Sequence, residues 1–329
     1  MRALILAPFS ERVLAQLRRD IDVTYESWLD TRRLWDPEAL GQRLARDGFD
    51  ALVVEADFVF EETFEAAPNL RFVGVCRNAL NQVDLDAATR HGVLVVHAPS
   101  RNAIAVAELT LGLMFALLRN VPAADAFIRN GEWRDPAEAY RRWRGRELAG
   151  SVVGVVGLGH IGTEVARRCG ALGARVIASD PYVTPSRAHA VGARLVPLPS
   201  LLRRADIVTV HAAASDRPII DRAALARMRS NAVLINTGAA AAVDYAALTE
   251  ALEAGRIAGA GLDVFPGHPL PPGSPLAKLP NVVLTPHIGG ATRETVERHS
   301  RMIAADLLRA LRGQRPKHLA NPEALRVRA

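Results

Sequence analysis

A chain of 329 residues that is 49% hydrophobic and 23% charged exceeds one comfortable core and is too apolar to be disordered, so two ordinary globular domains are expected. The net charge of +6 comes from 41 basic residues interspersed with 35 acidic ones; without a long basic block, no nucleic-acid partner is expected. The longest apolar stretch, Ala103 to Leu118, is short for a bilayer and contains Glu108, which argues against a membrane partner and leaves the cytoplasm as the default location.

The chain opens with one positive charge and a brief apolar run, which reads as a first β-strand rather than a secretion signal. Short apolar runs then alternate with helical patterns. Strands are predicted at Ala3 to Ala7, Val23 to Glu26, Ala51 to Val54, Arg71 to Val75 and Val93 to Val96, with helical patterns at Val13 to Arg18 and Pro37 to Arg46. Such alternation predicts an open, mainly parallel sheet with helices on its faces. From Asn102 to Arg119 a long helix has apolar residues at nearly every turn, so burial on more than one side is expected, in a dimer interface or between domains. A solvated loop is the favoured reading of the cluster Arg141, Arg142, Arg144 and Arg146, against an anion site.

A second α/β unit follows, with strands predicted at Val152 to Val156, Arg175 to Ser179, Ile207 to Val210, Ala232 to Ile235, Gly259 to Asp263 and Val282 to Thr285. The last long helix, Thr292 to Arg312, is expected to return to the first domain. Cys76 and Cys169 are far apart; they read as free thiols, and no metal site is expected.

The strongest local signal is Gly157-Leu-Gly159-His160-Ile161-Gly162, just after an apolar strand and at a helix start. Gly157 permits the tight turn, Gly159 lets the backbone approach a pyrophosphate, and Gly162 allows close helix-to-strand packing. The diphosphate then meets free N–H groups and the positive end of a helix dipole. Asp180, about twenty residues on and at the end of the next strand, stands where the adenosine ribose is gripped. Its carboxylate repels a 2′-phosphate, so NAD is expected rather than NADP.

These residues, together with Val83-Asp-Leu-Asp-Ala-Ala, Ala105-Val-Ala-Glu108, Leu234-Ile-Asn-Thr237, Gly261-Leu-Asp-Val-Phe265 and Asn281-Val-Val-Leu-Thr-Pro-His-Ile-Gly-Gly290, make the chain resemble the D-2-hydroxyacid dehydrogenases from about Leu70 to Thr292. The resemblance implies two Rossmann-like or flavodoxin-like α/β domains with parallel sheets and an active cleft between them. Residues 1–100 plus 291–329 would form the substrate domain, and residues 101–290 the NAD-binding Rossmann domain. It also implies that Ala98, Ala212, Ala213, Thr237, Asp263 and Gly290 surround the cofactor, with Asp263 near the nicotinamide amide.

Members of that family hold the substrate carboxylate with an Arg, move the proton with a His, and orient that His with a Glu. His287 matches the His. Ala239 stands at the Arg position and His268 at the Glu position. Losing a preorganised group that stabilises oxyanion charge costs ~3–4 kcal/mol, or ~10²–10³ in rate. His268 reads either as a partner of His287 or as a residue of a Pro/Gly-rich turn; an imidazole supports a protonated His287 less than a carboxylate would. In the substrate loop, Arg77 and Ala79 replace glycines beside Asn78, and Arg101 replaces another. Arg77 and Arg101, with Asn78, are therefore candidate substrate-binding residues, since Arg suits carboxylate or phosphate recognition.

The leading expectation is an NAD-dependent dehydrogenase or reductase acting on a small anionic substrate, as a homodimer, with His287 and His268 as the catalytic pair. Two alternatives remain open: a redox-neutral isomerase, epimerase or lyase with tightly held NAD, and a non-catalytic NAD(H) sensor whose domain closure regulates a partner.

Overall fold

A computed structural model describes residues 1–213 and 216–327. The chain divides into two compact units, one of Met1–Arg101 with Thr292–Ala329 and the other of Asn102–Ala291.

In the first unit β1 (Arg2–Ile5), β2 (Asp22–Tyr25), β3 (Ala51–Val54), β4 (Phe72–Val75) and β5 (Leu94–His97) form a sheet in the order β2-β1-β3-β4-β5, with every pair parallel. Both faces are covered. Ala3 and Ile5 enter one core with Val53 and Val96, while Leu4 enters another with Leu52 and Val54. That double burial is why these strands read as unbroken apolar runs rather than as alternation. The helix Arg293–Leu311 supplies Ile303 and Leu307 to the first of these cores, so the end of the chain completes the unit in which it began.

The second unit contains β6 (Val152–Val156), β7 (Arg175–Ser179), β8 (Ala193–Leu195), β9 (Ile207–Val210), β10 (Val233–Asn236), β11 (Gly259–Leu262) and β12 (Val282–Leu284), in the order β12-β11-β10-β9-β6-β7-β8. All pairs are again parallel. Read from β8, this is the doubly wound order 3-2-1-4-5-6 with one strand added, and its direction of winding reverses between β6 and β9.

The helix Ala103–Leu118 packs on the helix His160–Ala171 and on β10, β11 and β12. Its apolar character is therefore explained by burial against its own unit's sheet, and neither a dimer interface nor a position between domains is needed to account for it. The Arg cluster also differs from the expected loop. Arg141 and Arg142 end a short helix, Pro136–Arg142, because Asp135 caps its start by accepting from the Ala137 amide at 2.9 Å. Arg142 lies over Phe127 and Trp143, with its guanidinium carbon 5.1 and 4.9 Å from the ring centroids. No single helix among the described residues is long and apolar enough to cross a membrane.

Candidate active site

The glycine loop leaves β6 at the point where the winding reverses. Gly157 has φ +88°, and a Cβ there would sit 2.6 Å from the Ala212 amide nitrogen, so only glycine fits against the segment leaving β9. A Cβ on Gly162 would lie 2.0 Å from the Gly157 carbonyl oxygen, which forces the helix His160–Ala171 close beneath the loop. A Cβ on Gly159 would meet nothing within 4 Å. That open face lies at the helix start, where Gly159 offers no side-chain cap, so the first-turn amides at His160, Ile161 and Gly162 have no partner inside the helix. An open face, uncapped amides and a helix dipole together fit the diphosphate of a dinucleotide.

Asp180 follows β7, half-buried. Its Oδ2 accepts from the Leu158 amide at 2.7 Å and its Oδ1 from the Tyr182 amide at 2.8 Å. The carboxylate is thus tied to the glycine loop itself, and each oxygen keeps lone-pair capacity for a ribose hydroxyl. Across the switch point, His211 bonds Thr209 Oγ1 through Nε2 at 2.8 Å, while its Nδ1 is buried without a partner. Burial pushes this imidazole down to about 3, so it is neutral. Ala212 and Ala213 continue that segment. Thr237 is buried, with its hydroxyl 2.7 Å from that of Thr110, and Gly290 faces the Asn102 side chain.

His287 stands three residues beyond β12 in a left-handed conformation, φ +56°. The loop around it is tied by Asp263, 1% exposed, which accepts from Thr285 Oγ1 at 2.6 Å and from the Ile288 and Gly289 amides at 2.8 Å each. Three of the carboxylate's roughly four acceptor sites are therefore spent on His287's own loop, a role that the resemblance to a nicotinamide contact did not suggest. His287 Nδ1 lies 3.0 Å from His268 Nε2, and the ring centroids are 4.8 Å apart. The structure thus brings the two histidines together, both solvent-accessible. At Ala239 there is only a methyl group; its carbonyl accepts from Asn236 Nδ2 at 3.1 Å.

In the first unit Arg77 follows β4, half-buried, and Asn78 is exposed. The Arg77 carbonyl accepts from the Ala98 amide at 2.9 Å, and the Asn78 carbonyl lies 3.0 Å from His97 Nδ1. Ala98 itself is fully buried in the core. Arg101 neither points freely into solvent nor stands alone. Its side chain is 11% exposed and its Nη2 lies 2.8 Å from Glu55 Oε1; its Nη1 donates to His299 Nδ1 at 2.9 Å. Neither Glu55 nor His299 was singled out by sequence motifs. Glu55 is one residue past β3, a position that could have flagged it, but His299 is 198 positions from Arg101, and no local pattern connects them.

A cavity of about 670 Å³ lies elsewhere, lined by Leu117, Arg144, Arg146, Val233, Pro280 and Val283 among others. It opens at the starting ends of β10 and β12, the edge opposite the glycine loop, whereas ligands of open α/β sheets bind beyond the strands' carboxyl ends.

Residues 111–289 match the family model described as "D-isomer specific 2-hydroxyacid dehydrogenase, NAD binding domain", and the glycine-loop geometry fits that cofactor. A D-3-phosphoglycerate dehydrogenase of Archaeoglobus fulgidus is 35% identical over 325 residues, covering 98% of this chain and 59% of that protein. Other D-3-phosphoglycerate dehydrogenases are matched over 50% of their length, so the chain spans about half the length of these curated relatives. A glyoxylate reductase of Thermofilum pendens is 36% identical over 326 residues, covering 96% of this chain and 93% of that enzyme. Among solved structures, the TT0316 protein of Thermus thermophilus superposes with a TM-score of 0.85 at 35% identity, covering 97% of this chain and all of that one.

Proposed function

Because the chain belongs to the D-isomer specific 2-hydroxyacid dehydrogenase family, we propose that it is an NAD-dependent oxidoreductase acting on a small anionic hydroxy or oxo acid, with His287 as its proton carrier. The observation that carries this reading is the His287–His268 pair, held on a loop fastened by Asp263 in the same unit as a complete dinucleotide cradle.

When bound, the nicotinamide accepts or delivers the hydride. The chain's own residues do the rest. Gly157, Gly159, His160, Ile161 and Gly162 present backbone to the diphosphate, Asp180 grips the ribose and rejects a 2′-phosphate, and Ala212, Ala213, Thr237 and Gly290 border the cofactor. In this reading His287 donates Nδ1–H to His268 Nε2 across their 3.0 Å contact, the tautomer in which His287 Nε2 serves as the base. That nitrogen takes the substrate hydroxyl proton in oxidation and returns it in reduction. An imidazole partner holds the protonated form of His287 less firmly than a carboxylate would. Ala239 contributes no charge; in the unit of Met1–Arg101 with Thr292–Ala329, Arg77, Arg101 and Asn78 are the groups suited to holding an anionic substrate.

The names of the relatives, D-3-phosphoglycerate dehydrogenase and glyoxylate reductase, favour net redox over a redox-neutral reaction or cofactor sensing. The reading includes a cytoplasmic homodimer, supported by two free, buried cysteines and by Val121, Ile128, Trp133 and Tyr140, which are 53–74% exposed along one stretch.

NADH consumption across a panel of 2-oxo acids tests the activity. Turnover with at least one small 2-oxo acid supports the reading, and background rates with all of them would remove it.

A further inference from the structure

Resting on the activity proposed above, we infer that Arg101 is the group that grips the substrate's anionic end and that Glu55 and His299 are its positioning residues, clamping the guanidinium at the switch point of the first sheet. The order β2-β1-β3-β4-β5 reverses its winding between β1 and β3, and ligands of open α/β sheets bind at such a crevice, beyond the strands' carboxyl ends. The clamp is built there. Pro8 lies three residues past β1, Glu55 one past β3 and Arg101 four past β5.

Each member of the clamp is fixed by another. Glu55 holds Arg101 Nη2 at 2.8 Å and also accepts from Trp28 Nε1 at 3.3 Å, while its carbonyl accepts from Gln82 Nε2 at 2.9 Å. His299, fully buried, bonds the Pro8 carbonyl through Nε2 at 2.8 Å. Since a carbonyl only accepts, Nε2 carries the hydrogen and Nδ1 is left to accept from Arg101. Burial pushes this imidazole down to about 4, which keeps that acceptor unprotonated at neutral pH. Two of the five guanidinium N–H groups are thus occupied, one on each Nη, and three donors remain for an anion such as a carboxylate or phosphate. Glu55 balances the charge of Arg101. The Arg77 carbonyl is bonded to the Ala98 amide, three residues before Arg101.

This arrangement separates fixing the guanidinium from contacting the ligand.

The probe is oxalate, a planar dicarboxylate that resembles a 2-oxo acid and cannot be reduced, titrated calorimetrically into the NADH-loaded protein. Wild type should bind it. Arg101→Gln should weaken binding roughly 10–100-fold, the worth of one or two charge-assisted hydrogen bonds, and Arg101→Lys, which keeps charge but loses the fork, should also weaken it. Glu55→Gln and His299→Leu should each weaken it severalfold, whereas His299→Asn, whose amide oxygen can accept in place of Nδ1, should restore most of the affinity. The KM for the oxo acid should rise in the same order, with little change in kcat or in NADH affinity. Intact NADH binding and circular dichroism certify that each variant is folded.

An Arg101→Gln protein that binds oxalate like wild type overturns the inference, and so does a wild type that does not bind it. Oxalate binding that depends on Arg101 in a protein without turnover would sink the proposed activity and spare the clamp. Normal turnover with affinity indifferent to Arg101 would do the reverse.

Discussion

Two alanine substitutions in the glycine loop separate cofactor binding from folding. At Gly162 an added Cβ would lie 2.0 Å from the Gly157 carbonyl oxygen, where an ordinary carbon-to-oxygen contact needs more than an ångström of further room. The oxygen cannot simply retreat, because Gly157 is itself wedged against the Ala212 backbone. Overpacking against backbone on this scale costs about 3 kcal/mol or more, which lowers the melting temperature of a unit of this size by roughly 6–12 °C. At Gly159 the added Cβ meets nothing, and the backbone, at φ −71° and ψ −157°, suits any residue. Gly159→Ala should therefore leave thermal stability unchanged or raise it by a few tenths of a kcal/mol, as a less flexible unfolded chain implies (~0.4–1 kcal/mol at most). Its methyl nevertheless occupies the face offered to the diphosphate, and NADH affinity should fall roughly 10–100-fold. Calorimetric titration with NADH beside thermal melts gives both readings. A Gly159→Ala protein that binds NADH like wild type would refute the placement of the diphosphate, and an undiminished melting temperature in Gly162→Ala would refute the packing argument.

Replacing His268 by Glu returns a carboxylate to His287 Nδ1; kcat for oxo-acid reduction should rise roughly 10-fold, since a charged partner stabilises the protonated form better than an imidazole, and an unchanged or lower kcat would show that His268 does not act through His287. Asp180→Ala should cut the preference for NADH over NADPH roughly 10–100-fold by removing like-charge repulsion, as read from the ratio of the two affinities. His299 sits at about 4 in the folded protein against an ordinary 6.5, so the unfolded chain takes up the proton first. Its contribution is complete above about pH 6.5 and is lost as the pH falls toward about 4; between about pH 7 and about pH 5 the loss is roughly 2 kcal/mol. Urea melts at the two pH values should show that loss in wild type and correspondingly less in His299→Asn.

Both sheets were legible because most of their strands, such as β1, β3, β4, β6, β9 and β11, are buried runs of apolar and small residues bounded by turn residues. β8, three residues at the sheet edge with Arg194 exposed between Ala193 and Leu195, is too short and too mixed to declare itself. The short helices Glu61–Ala66 and Leu85–Arg90 escaped notice for a similar reason: neither completes two turns, so periodicity has nothing to repeat. The cofactor loop could be read because its glycines and Asp180 are constrained by local backbone geometry within a single strand-turn-helix. His287 and His268 were found one by one from their surrounding motifs, but their 3.0 Å separation depends on where two loops end after separate strands. Arg101 was recognised as an anomaly of residue type. Its partners were not, because His299 reaches it through the packing of the helix Arg293–Leu311 onto the first sheet, and Glu55 through its place at the end of β3 in that sheet.

The central claim is that His287 carries the proton of an NAD-linked reaction. Single-turnover reduction of a 2-oxo acid by NADH-loaded protein tests it most directly, with His287→Gln compared against wild type. The account predicts that wild type oxidises its bound NADH and that the variant does so roughly 10²–10⁴-fold more slowly while binding NADH equally well. Equal rates in the two proteins, or no oxidation in either, would contradict it.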